Sequence, residues 1–142
     1  VRPHHLRWRS IGLVALGGAA GAAARELLVL LIPAAGGVPV PILVANVLGA
    51  FILGYLYEWL TRGRAPEPLN RRLRMLLGTG FCGGFTTYSS LAVGGVLLAR
   101  DAPWPAVAYL AGTVLVGALA TWAGIAAGAA HGARSGAAAA VR

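Results

Sequence analysis

Lysine is missing altogether from the 142 residues, and acid nearly so: Glu26, Glu58, Glu67 and Asp101 are the only carboxylate side chains. Charged residues make up 11% of the chain, against about 25% in a typical soluble domain. A water-solvated surface of mixed charge is therefore excluded. Cys82 stands alone, which rules out an intrachain disulfide framework and a cysteine zinc site. His4, His5 and His131 have no neighbours at metal-ligand spacing, so interfacial positions are expected for them. No serine, histidine and acid can be grouped within the apolar runs, whose only acids are Glu26 and, at an edge, Glu58. Enzyme chemistry has little to work with, and the chain is not expected to be an enzyme.

What is present is apolar: 58% of the residues are hydrophobic. A membrane-spanning helix needs roughly 20 such residues in sequence, and four segments qualify, at about 11–32, 40–60, 73–99 and 104–130. Between them lie a Pro/Gly turn (PAAGGVPVP), a basic loop (TRGRAPEPLNRR) and a tight turn at Arg100 and Asp101. The first run exceeds the usual 7–15 residues of a signal core and contains Arg25 and Glu26, so it reads as a retained span. The expectation is an all-α integral membrane protein with one four-helix domain at 11–130. A cytoplasmic segment at 1–10 precedes it and a flexible tail at 131–142 follows.

A net charge of +8 is compatible with nucleic-acid binding, but the arginines flank apolar runs, as they do in membrane proteins. Arg2, Arg7 and Arg9 precede the first span, Arg62, Arg64, Arg71, Arg72 and Arg74 follow the second, and Arg134 and Arg142 follow the fourth. That places ten arginines on one side, against Arg100 alone in the opposite loops. The positive-inside rule then puts both termini in the cytoplasm of a multi-pass plasma-membrane protein. Glycines recur about one turn apart in every span, as at Gly17 and Gly21 or Gly124 and Gly128, a spacing that lets helix backbones approach closely. Four short helices enclose little interior, so a dimer is expected.

Gly78 to Gly83 reads literally as G-x-G-x-x-G. A dinucleotide site needs a preceding strand within a βαβ unit, and here a membrane span surrounds the motif, so that reading is rejected. Arg25 and Glu26 fall inside or near the end of the first span, where a charge costs about 2.5–3.5 kcal/mol on insertion scales. Glu26 has an interfacial and a proton-coupling reading; Arg25 can snorkel to the interface or draw an anion into a vestibule. Mid-span, Asn46 serves equally as an interhelical hydrogen-bond partner or as a donor of two hydrogens toward an anion.

The stretch GTGFCGGFTTYSSL, Gly78 to Leu91, collects residues that disfavour continuous helix. In lipid an interrupted helix survives only where its freed backbone groups find partners or line a polar cavity. Broken spans often bind ions through such groups. A break near Gly83–Thr87 would free carbonyls of the first half-helix, and two such breaks at a dimer axis can share one hard cation. The residues alone therefore point to an ion-handling membrane protein.

GGAAGAAAR (Gly17–Arg25), NVLGAFILG (Asn46–Gly54) and GTGFCGGFTTYSS (Gly78–Ser90) resemble the CrcB/Fluc fluoride channels over nearly the whole chain. The resemblance implies a passive, fluoride-specific channel that exports fluoride and protects the cell from it. It also implies an antiparallel, dual-topology dimer with two pores. By the same likeness, backbone carbonyls of Gly83 and Thr86 hold a structural sodium ion at the dimer interface. Asn46, Tyr88, Ser89, Ser90, Leu91, Tyr109 and Thr113 belong to the anion pathway, and Arg25 to a vestibule. The chain departs from the family pattern, T-T-F-S-T-F, with Tyr88 and Leu91 in place of its two phenylalanines, and Gly117 stands where a hydroxyl is expected. The antiparallel partner is either a paralogous subunit or a second copy of the chain itself; the one-sided arginines predict a single orientation, which favours a heterodimer with an oppositely oriented relative. The competing expectations are a small multidrug-resistance-type proton-coupled transporter using Glu26 and a purely structural membrane subunit.

Overall fold

The computed structural model describes the backbone of residues 8–62 and 66–140, and side chains as far as residue 132. Most of the expected N-terminal segment, with Arg2, His4, His5 and Arg7, lies outside the described residues, as do Arg64 and Arg142. The described elements are α1 (Trp8–Leu31), α2 (Val40–Arg62), α3 (Glu67–Leu73), a π-helical segment (Arg74–Cys82), α4 (Gly83–Phe85), α5 (Tyr88–Asp101) and α6 (Pro103–Ala140). Among the described residues, four spans are long and apolar enough to cross a membrane: Trp8–Leu31, Val40–Arg62, the joined run Glu67–Asp101, and Pro103–Gly132. The protein is thus an all-helical, multi-pass membrane protein whose third span is interrupted.

Two boundaries differ from those expected. The third span begins at Glu67 rather than near 73, because Pro66 and Pro68 start a helix at the loop that hydropathy does not register. Pro in the first turn sacrifices only an amide that is unpaired there anyway. At the other end α6 continues to Ala140, where a flexible tail from 131 was expected. Alanine is the best helix former, and the Ala-rich end carries the helix on after its hydropathy falls.

Local chemistry accounts for the connections. Gly36 and Gly37 adopt φ of 58° and 79°, and Ala35 and Val38 exchange backbone hydrogen bonds at 3.2 and 3.0 Å across them. This two-residue turn requires left-handed backbone at both central positions, which glycine supplies at no steric cost. It returns the chain from α1 into α2. The loop between α2 and α3 is closed by Asn70, whose Nδ2 donates to the Leu60 carbonyl at 2.8 Å, satisfying an acceptor at the end of α2. Arg74 extends the junction: its Nη2 donates to Thr61 Oγ1 at 3.2 Å and its guanidinium lies 5.0 Å from the centre of the Tyr57 ring.

Packing is governed by two seams of glycine. In the first, Gly17 and Gly21 of α1 press on the backbone of Leu76 and Phe81, while Gly84 presses back on Gly18. The second seam joins α2 and α6, with Gly54 against Thr121, Gly124 against Phe51 and Gly128 against Tyr55. In each case an added Cβ would collide with a backbone atom rather than with a movable side chain. Lipid tails are as apolar as the helix faces, so close van der Waals contact must replace the hydrophobic effect as the force between spans. A smaller core of Leu91, Leu98, Ala106 and Tyr109 joins α5 to α6.

Gly17→Val and Gly124→Val are each expected to destabilise the fold by about 1–3 kcal/mol, the usual cost of overpacking. Both should lower the thermal midpoint and broaden the size-exclusion peak in mild detergent. Gly12→Ala, which has open space around it, should leave both unchanged.

Candidate functional site

The interruption of the third span is the best-defined polar feature inside the bundle. Thr86 and Thr87 leave the helical region, with φ/ψ of −84°/154° and −150°/122°. Had the helix continued, the Thr87 N–H would donate to the Gly83 carbonyl. It donates instead to Asn46 Oδ1 at 2.8 Å, and Asn46 Nδ2 donates back to the Thr87 carbonyl at 3.1 Å. One side-chain amide therefore pairs with both backbone groups of a single residue on the broken helix. This is the interhelical role open to Asn46 from its sequence position. The amide has a second N–H, and Asn46 also faces the adjoining groove.

Each half-helix is finished differently. Before the break, the Thr86 N–H and its Oγ1 both donate to the Cys82 carbonyl, each at 2.9 Å. After it, Thr87 is the N-cap of α5: its Oγ1 accepts from the Ser90 N–H at 3.2 Å and lies 3.2 Å from both the Ser89 and Ser90 hydroxyls. Such a cap satisfies one of the free amides at a helix start. The methyl of Thr86 occupies the space that a side chain at Gly49 would fill, so α2 supplies both a polar and an apolar clamp to the break.

An open groove of about 510 Å³ runs along this region. It gathers Asn46, Gly83, Thr86, Tyr88, Leu91 and Thr113, six of the ten residues assigned from the sequence. Ser89 and Ser90 sit beside it in the hydroxyl cluster around Thr87. Tyr88 is 83% exposed on the rim, so its ring is presented outward from the subunit. Leu91 divides its surface between the groove and the α5–α6 core. Tyr109 lies in that core at 4% exposure, and its hydroxyl is buried without a hydrogen-bond partner. Arg25 is half-buried on α1 and Glu26 is exposed beside it; neither lines the groove.

Sequence reasoning missed three contributors. Thr79 and Thr121 also line the groove. Thr121, like Thr113, returns its hydroxyl to the carbonyl four residues earlier, at 3.0 Å and 2.6 Å respectively. The fourth span's spacing of Thr113, Gly117 and Thr121 was the available signal, since residues four apart share a helix face. Arg74 was counted only as a loop charge. It lines a second cavity of about 400 Å³ that shares Leu53, Gly78 and Thr79 with the groove, and its Nε is buried and unpaired.

Among the described residues no cluster of three or more His, Cys, Asp or Glu side chains can hold a metal. A cation here would be held by neutral oxygens, of the backbone or of the threonine and asparagine side chains that line the groove. The Gly83 carbonyl does not receive the Thr87 N–H, which donates to Asn46 instead.

Comparison with known proteins places the chain in a family. Residues 12–125 match the model of the family described as CrcB-like protein, Camphor Resistance (CrcB). The chain belongs to the CrcB family. A relative from Leifsonia xyli, named fluoride-specific ion channel FluC 2, is 46% identical over 136 residues, covering 94% of this chain and 93% of its own length. Another from Methanopyrus kandleri, named fluoride-specific ion channel FluC, is 41% identical over 119 residues, covering 84% and 88%. A third from Cutibacterium acnes, fluoride-specific ion channel FluC 1, is 40% identical over 119 residues, covering 82% and 83%. The interrupted third span and its groove thus lie within the part of the chain that the family shares.

Asn46→Ala should strand the Thr87 N–H and carbonyl, at about 1–3 kcal/mol for each group left unpaired. Thr113→Val removes only a bond within one helix and is expected to cost about 1 kcal/mol or less. Thermal unfolding in detergent should rank Asn46→Ala well below Thr113→Val; equal midpoints would contradict the clamp.

Proposed function

We propose that the protein is a passive fluoride channel that lowers internal fluoride, acting as one subunit of an antiparallel pair. The observation that carries this reading is the open groove at the helix break, lined by an amide and threonine hydroxyls, in a chain whose family relatives are named fluoride-specific channels. Fluoride holds its water tightly, so a pathway must replace that water with closely spaced hydrogen-bond donors. The hydroxyls of Thr113 and Thr121 rest on carbonyls of their own helix, and a hydroxyl rotor can turn from such a carbonyl toward an anion. Asn46 adds its second N–H. Tyr88 at the rim adds a ring edge, the positive part of an aromatic quadrupole.

The same reading assigns a sodium ion to the carbonyls of Gly83 and Thr86, where it neutralises the negative end of the first half-helix and joins two subunits. It contributes charge and cohesion, and the chain's own hydroxyls and amide carry the anion. Arg25 serves as a vestibule cation, and Ser89, Ser90 and Tyr109 complete the pathway with the partner in place. Ten arginines at one end against one at the other favour a single orientation with both termini in the cytoplasm. A subunit so fixed cannot form an antiparallel dimer with itself, so its partner is an oppositely oriented relative. Nothing around Glu26 favours the proton-coupled alternative, since that side chain is exposed and off the groove.

Liposomes containing the chain together with an oppositely oriented relative are expected to release fluoride and retain chloride, read with ion-selective electrodes. Glu26→Gln should leave that flux unchanged. Absence of fluoride release from these liposomes and from liposomes of the chain alone would overturn the channel reading. Orientation is read separately: a reporter fused after residue 142 should respond from the cytoplasmic side only, and equal signals from both sides would contradict the heterodimer.

A further inference from the structure

The arginine-rich end of the bundle contains a cavity that the ion pathway does not use. It measures about 140 Å³, between the start of α1 and the α3–π-helix junction, and three guanidinium-bearing residues line it: Arg9, Arg71 and Arg72. That volume holds several waters, enough room for one phosphate group. Among the described residues no acidic side chain lines it; Glu67 starts the same helix but stays outside, and Glu58 is paired with Arg62. All three arginines are exposed, so water and salt screen their mutual repulsion; an anion seated between them is attracted to each.

A second cavity identifies the kind of anion. About 430 Å³ of open, mostly apolar groove is lined by Ile11, Val14, Ala15 and Thr79, and it shares Ser10 and Met75 with the basic cavity. The two cavities therefore adjoin at Ser10 and Met75, between α1 and the third span. One end is cationic and lies at the mouth of the bundle; the other is apolar and descends along the spans. Trp8, 80% exposed at the top of α1, marks the level where amphipathic rings settle at a membrane interface. Guanidinium groups match phosphate oxygens in pairs, and the groove has the shape and polarity of an acyl-chain site.

We propose that this seam binds one anionic phospholipid, with its phosphate held by Arg9, Arg71 and Arg72 and one acyl chain lying against Ile11, Val14 and Ala15. Because the acyl chain packs over Met75 and Thr79, the lipid braces the α1 side of the π-helical segment that leads to the helix break. A free phosphate offers the same headgroup chemistry without the chain, so the apolar groove is what assigns the site to a lipid.

The test uses the full chain, purified and delipidated, then titrated with phosphatidylglycerol or phosphatidylcholine and examined by native mass spectrometry. Phosphatidylglycerol is expected to remain bound and phosphatidylcholine to dissociate. Combining Arg9→Gln, Arg71→Gln and Arg72→Gln should reduce retention by about tenfold or more, given the strength of each arginine's attraction to anionic lipid. Ala15→Trp, which fills the groove and leaves every charge in place, should reduce it too, while Arg100→Gln at the other end should not. Equal retention of the two lipids by the native chain overturns the proposal even if the triple variant fails to fold. Undiminished retention by Ala15→Trp, or displacement by equimolar inorganic phosphate, overturns the lipid assignment.

Discussion

A backbone amide and carbonyl cannot be left unpaired where water is excluded, and the third span breaks its own ladder inside the bundle. The Asn46 side chain resolves this by pairing with both polar groups of Thr87. An unmet group of this kind costs several kcal/mol in hydrocarbon, so the break exists only because α2 brings an amide to meet it. Everything distinctive about the groove follows from that pairing. It takes the Thr87 N–H from the Gly83 carbonyl and places Thr87 to cap α5.

The amide can reach because the helices are held close. Gly49 lets Thr86 approach α2, and the seam of Gly54, Gly124 and Gly128 fixes α2 on α6. On the other side, Gly17, Gly21 and Gly84 lock α1 to the segment preceding the break. At Gly17, Gly21, Gly54, Gly84, Gly124 and Gly128 an added Cβ would collide with backbone across the seam, so a side chain there would force the elements apart. The glycines are thus part of the polar geometry, although none of their contacts is polar.

Much of this was legible in the residues. Four runs of apolar sequence give four spans, and the Gly/Thr/Ser-rich stretch locates the interruption within a few residues, because propensity and hydropathy are local properties. The role of Asn46 was left divided between a structural and an anion-facing use, since a sequence position does not say which backbone lies opposite. The structure gives it the first role and leaves one N–H for the second. The π-helical segment was not foreseen; it is a change in hydrogen-bond register rather than in composition. Leu91 and Tyr109 were grouped with the pathway by resemblance, and packing also places both in the α5–α6 core, a distinction that depends on how α5 emerges from the break. Arg74 was overlooked because a basic residue next to a basic loop looks like one more topology signal.

The central claim is that the third span is broken at Thr86–Thr87 and held open by Asn46. Solid-state NMR on the chain in lipid, with 15N at the Thr87 amide and 13C at the Asn46 side-chain carbonyl, measures that contact directly. The account predicts strong dipolar transfer between the two labels and extended backbone shifts at both threonines. Transfer from the Thr87 nitrogen to the Gly83 carbonyl carbon, with helical shifts throughout, would show a continuous helix and contradict it.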